Sequence, residues 1–128
     1  MPEPLDDVTI ADNERLLHRI RPDDVHIDSS GQIRPPSGAF RYIKNITSVD
    51  IASLTTPERA LEGYPAYSLV EIEAGAVRAV GCRIVRDPQP DNPAHALVYG
   101  SAPGGRLTKS QAKEVANRCR WVNVEPHQ

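Results

Sequence analysis

The chain has 128 residues, of which 39% are hydrophobic and 25% are charged, a composition typical of a globular domain and too apolar for a disordered chain. Its formal net charge of −2 excludes a global field that attracts nucleic acid or an anionic membrane. No run of about 20 apolar residues is present, and the first ten residues lack the features of a secretory signal. We therefore expect a cytoplasmic protein.

Residues 1–11 are acidic and proline-bearing without periodicity, which predicts a flexible N-terminal arm before a single domain at 12–128. The following LLHRI segment has two interpretations. It is either a short helix capped by Asp12 or Asn13, or a strand, because five residues are too few for periodicity to decide. An extended piece at 25–27 and a proline-rich loop come next.

The middle of the chain predicts one helix and one hairpin. Thr56 and Pro57 fit the N-cap and first position of a helix that Gly63 ends. The strongest β pattern spans Tyr67 to Val85, where YSLVEIE and VRAVGCRIV flank an Ala74-Gly75 dipeptide. This pattern predicts two antiparallel strands joined by a tight turn.

The last third predicts a loop, a strand and a helix. Residues 87–93 (DPQPDNP) contain three prolines and cannot continue a β-ladder. HALVY predicts a strand from His95 to Tyr99. Thr108 and Gln111 form a capping box for a helix. Its apolar face comprises Ala112, Val115, Ala116 and Cys119, and Trp121 and Val122 extend it.

These elements together predict an α+β fold, with a mostly antiparallel sheet and helices at 57–62 and 108–120 packed on one side. Cys82 and Cys119 fit reduced thiols better than a disulfide framework. The four histidines lack metal-ligand spacing, so no metal site is predicted. Convergence of His26, His95 and Asp87 in space is the alternative.

Two polar groupings are candidate binding sites. Thr108, Lys109, Ser110 and Lys113 surround the start of the last helix and form a candidate anion-binding site, or else an ordinary solvated face. Loop-edge residues form a candidate ligand pocket if their loops meet in space. Its members are Ser37, Asp87, Asn92 and His95, and His18 is a further candidate ligand-binding residue. His95 has a simpler interpretation as a hydrogen-bonding anchor for the DPQPDNP loop.

The chain resembles a group of small bacterial proteins that share LLHRI, RPPSGAF, SVD, DPQPDNPAHALV and a closing KSxA helix, over residues 12–122. More distantly, its order of parts resembles the ADP-ribosyltransferase-like superfamily. That resemblance implies that Arg19 grips the pyrophosphate of NAD, Ser48 lies beneath the nicotinamide ribose and His95 takes the late-strand position. A glutamate is common at that position, so the histidine departs from the pattern.

Three functions follow from these observations. The leading hypothesis is an interaction or regulatory accessory protein that contacts a protein partner through Trp121, or through Tyr64 and Tyr67. The alternative is an NAD-using transferase or hydrolase of toxin or defence type, with Arg19, Ser48 and His95 as catalytic residues and NAD as cofactor. The third is a nucleic-acid binder that uses the basic C-terminal helix with Arg34, Arg41 and Lys44.

Overall fold

The computed structural model describes residues 5–21, 26–27, 33–34, 40 and 46–122. The strands are β1 (Arg15–Ile20), β2 (His26–Ile27), β3 (Ile33–Arg34), β4 (Thr47–Ile51), β5 (Ser68–Glu73), β6 (Arg83–Arg86), β7 (His95–Tyr99) and β8 (Arg120–Trp121). The helices are α1 (Pro57–Ala60), α2 (Ala74–Ala79) and α3 (Lys109–Arg118).

Six of these strands form one antiparallel sheet in the order β6-β7-β4-β1-β5-β8, and β2 pairs with β3 separately. The predicted α+β class and antiparallel sheet are confirmed. The LLHRI segment is the strand β1, and HALVY is the strand β7 as predicted. Both predicted helix starts are also confirmed, since Thr56 caps α1 and Thr108 caps α3 with a capping box.

The predicted hairpin at 67–85 is wrong. Residues 74–79 form α2, and β5 pairs with β1 and β8 whereas β6 pairs with β7 at the far edge of the sheet. The AGAVRA run forms a helix because Ala74 and Val77 lie on one helical face and both are buried. Within residues 67–85 the glycine with a left-handed backbone is Gly81, at φ +90°, and it follows Val80, the C-cap of α2.

The strands alternate between two clusters on opposite faces of the sheet. Leu16 belongs to the larger cluster, which includes residues of α2 and α3, and its neighbour Leu17 belongs to a smaller cluster with Leu69 and Ala60. Of the two predicted helices, α3 therefore packs on the main core face, while the four-residue α1 contributes Ala60 to the opposite face. The candidate site lies on that opposite face.

The N-terminal residues 5–11, expected as part of a flexible arm, lie along the outer edge of β6. The Asp7 amide donates to the Ile84 carbonyl at 2.8 Å, and Ile10 is only 1% exposed within the main core. Cys82 and Cys119 are both free thiols. Burial raises the pKa of Cys82 to about 11 and that of Cys119 to about 12, which makes both thiols weak nucleophiles.

Candidate functional site

The sheet splits between two adjacent central strands. Within the described residues, β1 and β4 pair only at Leu16 with Ile51 and at Leu17 with Asp50. Beyond that point the Nδ1–H of His18 donates to the Ser48 carbonyl at 2.9 Å. This side-chain hydrogen bond takes the place of the next backbone hydrogen bond between β1 and β4. His18 is buried and stacks on Phe40, with ring centroids 4.6 Å apart. The split leaves a cleft on the α1 side of the sheet.

A buried ion pair lies beside this split. The Arg19 guanidinium donates from Nη1 to Asp50 Oδ2 at 3.1 Å, and the Asp50 side chain is 3% exposed. The amide of Asn92 donates to the other carboxylate oxygen at 2.9 Å. Arg19 also donates to the Ala60 carbonyl at 3.0 Å. One carboxylate thus connects β1, β4 and the loop before β7.

Arg19 is further positioned by a tyrosine. Its guanidinium carbon lies 4.2 Å from the centre of the Tyr64 ring, a cation–π geometry. The ring of Tyr67 meets Tyr64 edge-on, with centroids 5.2 Å apart. Three protein groups therefore hold Arg19 in place, namely Asp50, the Ala60 carbonyl and Tyr64. We call the two stacked side chains, Arg19 and Tyr64, the Arg19–Tyr64 stack.

The two tyrosines are presented by a strained turn. The Tyr67 amide donates to the Tyr64 carbonyl at 3.2 Å, with Pro65 and Ala66 between them. Ala66 has φ +70° and is the one non-glycine residue with a positive φ among the described residues. Proline followed by a positive φ is the pattern of a type II turn, in which glycine is the usual residue at the position of Ala66.

Two clefts flank the Arg19–Tyr64 stack and share both of its residues. The split cleft has a volume of about 340 Å³ and lies over the gap between β1 and β4. Its lining comprises Leu17, His18, Arg19, Arg21, Ser48, Val49, Tyr64 and Tyr67. The ion-pair cleft has a volume of about 230 Å³. Around Arg19, Asp50 and Tyr64 its walls are Leu54, Thr55, Arg59, Ala60, Glu62, Asp91, Asn92 and Pro93.

The clefts bring together part of the predicted site. His18, Arg19 and Ser48 line the split cleft, and Arg19 and Asn92 line the ion-pair cleft. His95 lines neither of these two clefts, although it is the cross-strand neighbour of Asp50. Ser37 lies outside the described residues.

His95 is tied to the loop that precedes its strand. Its Nδ1–H is shared between the Asp87 carbonyl at 3.1 Å and the Asp87 carboxylate at 3.0 Å. The His95 amide donates to the Asn92 carbonyl at 3.2 Å. Three of the residues predicted to cluster around this loop are therefore neighbours. His95 bonds to both Asp87 and Asn92, as expected for a residue that anchors the DPQPDNP loop.

The remaining candidates lie apart from the clefts. At the start of α3, Thr108 is engaged in the capping box, while Lys109, Ser110 and Lys113 are exposed. The side chains of Arg34, Arg41 and Lys44 lie outside the described part of the chain, and so does that of His26. No group of three or more potential metal ligands occurs among the described residues.

Asp50 is the residue that sequence reasoning missed. It lies within TSVDI, where β-branched neighbours predict burial, and a buried carboxylate requires a partner. This pattern indicates that Asp50 forms a buried ion pair. The sequence does not show which arginine is the partner, because that depends on the register of β1 against β4.

Within the described residues, no helix has both the length and the apolar character needed to cross a membrane. No family model, no curated protein and no solved structure matches this chain.

Proposed function

We propose that this protein is a cytoplasmic interaction domain that recognises a segment of a partner protein at the Arg19–Tyr64 stack and its two clefts. The observation that carries the proposal is the stack itself. Arginine and tyrosine are enriched among the residues that dominate binding energy at protein interfaces. Here both are ordered before any partner arrives, which reduces the entropy lost on association.

The surface around the stack exposes large hydrophobic side chains among charged ones. Tyr64 is 39% exposed and Leu54 is 46% exposed, and both line the ion-pair cleft. They are two of the large hydrophobic side chains that the described surface exposes. The strained backbone at Ala66 also supports a recognition surface, because backbone strain persists mostly where a turn serves recognition or catalysis.

The volumes of the clefts also favour a peptide over a large cofactor. Pockets for drug-sized ligands span roughly 300–1,000 Å³. The ion-pair cleft, at about 230 Å³, is below that range, and the split cleft, at about 340 Å³, is near its lower end. Two adjacent clefts of this size suit two side chains of one extended segment.

The test begins with capture of partners from a lysate of the source organism on the immobilised protein. Each captured protein is then purified, and its affinity is measured for the wild type, Tyr64→Ala and Lys113→Ala. Lys113 is the control because it is exposed on α3 and lines neither cleft. We expect Tyr64→Ala to weaken binding at least about 10-fold, the range of an interface hot spot. Equal binding by all three proteins for every captured partner contradicts the proposal.

A second candidate function is NAD binding, which the joint position of Arg19 and Ser48 on the split cleft supports. Arginine binds phosphate through two parallel hydrogen bonds, and a serine hydroxyl can bond to a ribose. Against it, Nη1 of Arg19 is already engaged by Asp50 and Ala60, and His95 lies outside the cleft.

Calorimetric titration with NAD tests this candidate. Ser48→Ala is the informative variant, because the Ser48 contact with His18 uses the main-chain carbonyl and survives the substitution. His95→Ala is the control outside the cleft. Micromolar binding by the wild type and His95→Ala, weakened at least about 10-fold in Ser48→Ala, supports an NAD site. Absence of heat with the wild type removes it.

A further inference from the structure

The outer edge of β6 is occupied by residues 5–10 of the same chain, which we call the strap. β6 is the first strand in the sheet order, so one side of it faces away from the other strands. An edge strand presents unpaired N–H and C=O groups to which another extended segment can bind. On this edge the groups of Ile84 are both taken by the strap. Ile84 N–H donates to the Asp6 carboxylate at 2.9 Å, and its carbonyl accepts from Asp7 N–H at 2.8 Å.

Two arginines hold the strap on this edge. Arg78 of α2 contacts the Asp6 carboxylate at 3.0 Å and donates to the Asp7 carbonyl at 2.9 Å. Its Nη1 also donates to Asp12, just beyond the strap, at 2.6 Å. Arg86 lies 3.3 Å from the Asp7 carboxylate. The edge therefore combines backbone hydrogen bonding with two cations that select carboxylates.

The strap is attached by polar contacts over most of its length. Leu5 and Val8 are each 87% exposed, so they bury little apolar surface on the edge. Ile10 is the exception, since it is buried in the core. Hydrogen bonds from the Thr9 hydroxyl and amide lower the pKa of Asp7. When a partner segment displaces residues 5–9, its polar contacts replace those of the strap, and little apolar core surface is exposed.

We propose that the outer edge of β6, with Arg78 and Arg86, is a binding site for an extended acidic segment of a partner protein, and that the strap occupies it as a competitor within the same chain. The ligand is defined by charge complementarity as two adjacent carboxylates on an extended backbone. This site lies at the far edge of the sheet from β5 and β8 and does not depend on the function of the Arg19–Tyr64 stack.

A segment of the same chain has an effective concentration in the millimolar range, so it outcompetes an external peptide of equal affinity. The strap must therefore be weakened before the site is available. The double variant Asp6→Asn/Asp7→Asn does this in the full-length chain, because it removes both carboxylates and leaves both arginines in place.

The probe is a fluorescent peptide, LDDVTI, which reproduces residues 5–10, with LNNVTI as the uncharged control. We expect the double variant to bind LDDVTI at least about 10-fold more tightly than the wild type, and LNNVTI to bind neither protein. Equal binding of LDDVTI by the two proteins overturns the proposal. So does self-association of the wild type at the concentrations used, because it assigns the edge to a second copy of the chain.

If the double variant fails to fold, the wild type gives the answer by amide NMR. LDDVTI in millimolar excess should shift the amide signals of Asp7 and Ile84, which mark the two backbone contacts of the strap. LNNVTI should leave them unchanged. Absence of any shift with LDDVTI overturns the proposal without bearing on the Arg19–Tyr64 stack, whose test uses other residues.

Discussion

Asp50 carries a charge at a position where its side chain is 3% exposed, so the stability of β4 depends on the groups that surround this carboxylate. Arg19 supplies the compensating charge and Asn92 a further hydrogen bond. A buried charge that loses its partner is strongly destabilising, because desolvation is no longer offset. The ion pair therefore has a structural role in addition to the proposed recognition role of Arg19.

We expect Arg19→Ala to lower the free energy of unfolding by about 3 kcal/mol, the lower end of the range for breaking a buried pair, because Arg19 itself is 21% exposed. Arg59→Ala is the matched control. Arg59 is exposed on α1 and lines the same cleft, so its removal should change stability by about 0.5 kcal/mol or less. Urea denaturation measures both, and equal losses in the two variants contradict the role assigned to the pair.

At the scale of elements, the helix starts were predictable because their signals are local. A capping box needs only Thr108 and Gln111, and both of its hydrogen bonds are present. The hairpin at 67–85 was not predictable in this way. The Ala74-Gly75 dipeptide is compatible with a turn or a helix, and the choice depends on where β6 pairs in the finished sheet. Gly75 serves a close approach, since an added Cβ would lie 3.0 Å from the Asp12 side chain.

The end of α2 depends on a glycine that packs against a buried side chain of α3. Gly81 has φ +90°, and a Cβ there would lie 3.3 Å from the Gln111 amide nitrogen. Gln111 is buried and bonds to the Val80 carbonyl, to Ser101 and to the Thr108 amide. Gly63 has a similar φ of +83° with open space around it, which makes it the matched control.

We expect Gly63→Ala to lose about 1 kcal/mol from left-handed backbone strain alone. Gly81→Ala should lose more, because the Gln111 side chain must also move. The midpoints of urea unfolding give the comparison. A smaller loss at Gly81 than at Gly63 would mean that the contact with Gln111 has no energetic consequence.

The candidate site was partly predictable from sequence. The resemblance indicated Arg19 and Ser48 as site residues, and both line the split cleft. The sequence also indicated Tyr64 and Tyr67 as candidate contact residues, and they line the same cleft. The Arg19–Tyr64 stack and the ion pair with Asp50 were not predictable, because both depend on register and on the turn at Ala66. The TSVDI pattern indicates that Asp50 is buried, but its partner and the placement of Tyr64 over Arg19 are tertiary properties that no local pattern encodes.

For the molecule as a whole, the sheet order determines how its parts depend on one another. β1 lies between β4 and β5, and among the strands that the structure describes, β6 with β7 is the one neighbouring pair of this sheet that is consecutive in the chain. Such non-local pairing slows folding, because long loops must close before their contacts are gained. The two proposed binding surfaces also belong to different parts of the sheet, one at the split beside β1 and one at the outer edge of β6.

The central position of β1 has a consequence for the chain during its synthesis. β1 is translated before its partner β5, which ends about 50 residues later. At roughly 5–20 residues per second, about 3–10 s pass between the synthesis of β1 and the completion of β5. The apolar side chains of Leu16, Leu17 and Ile20 are then open to chaperones and to neighbouring nascent chains. We therefore expect the speed of translation between residues 20 and 73 to influence how much of this protein reaches its native state.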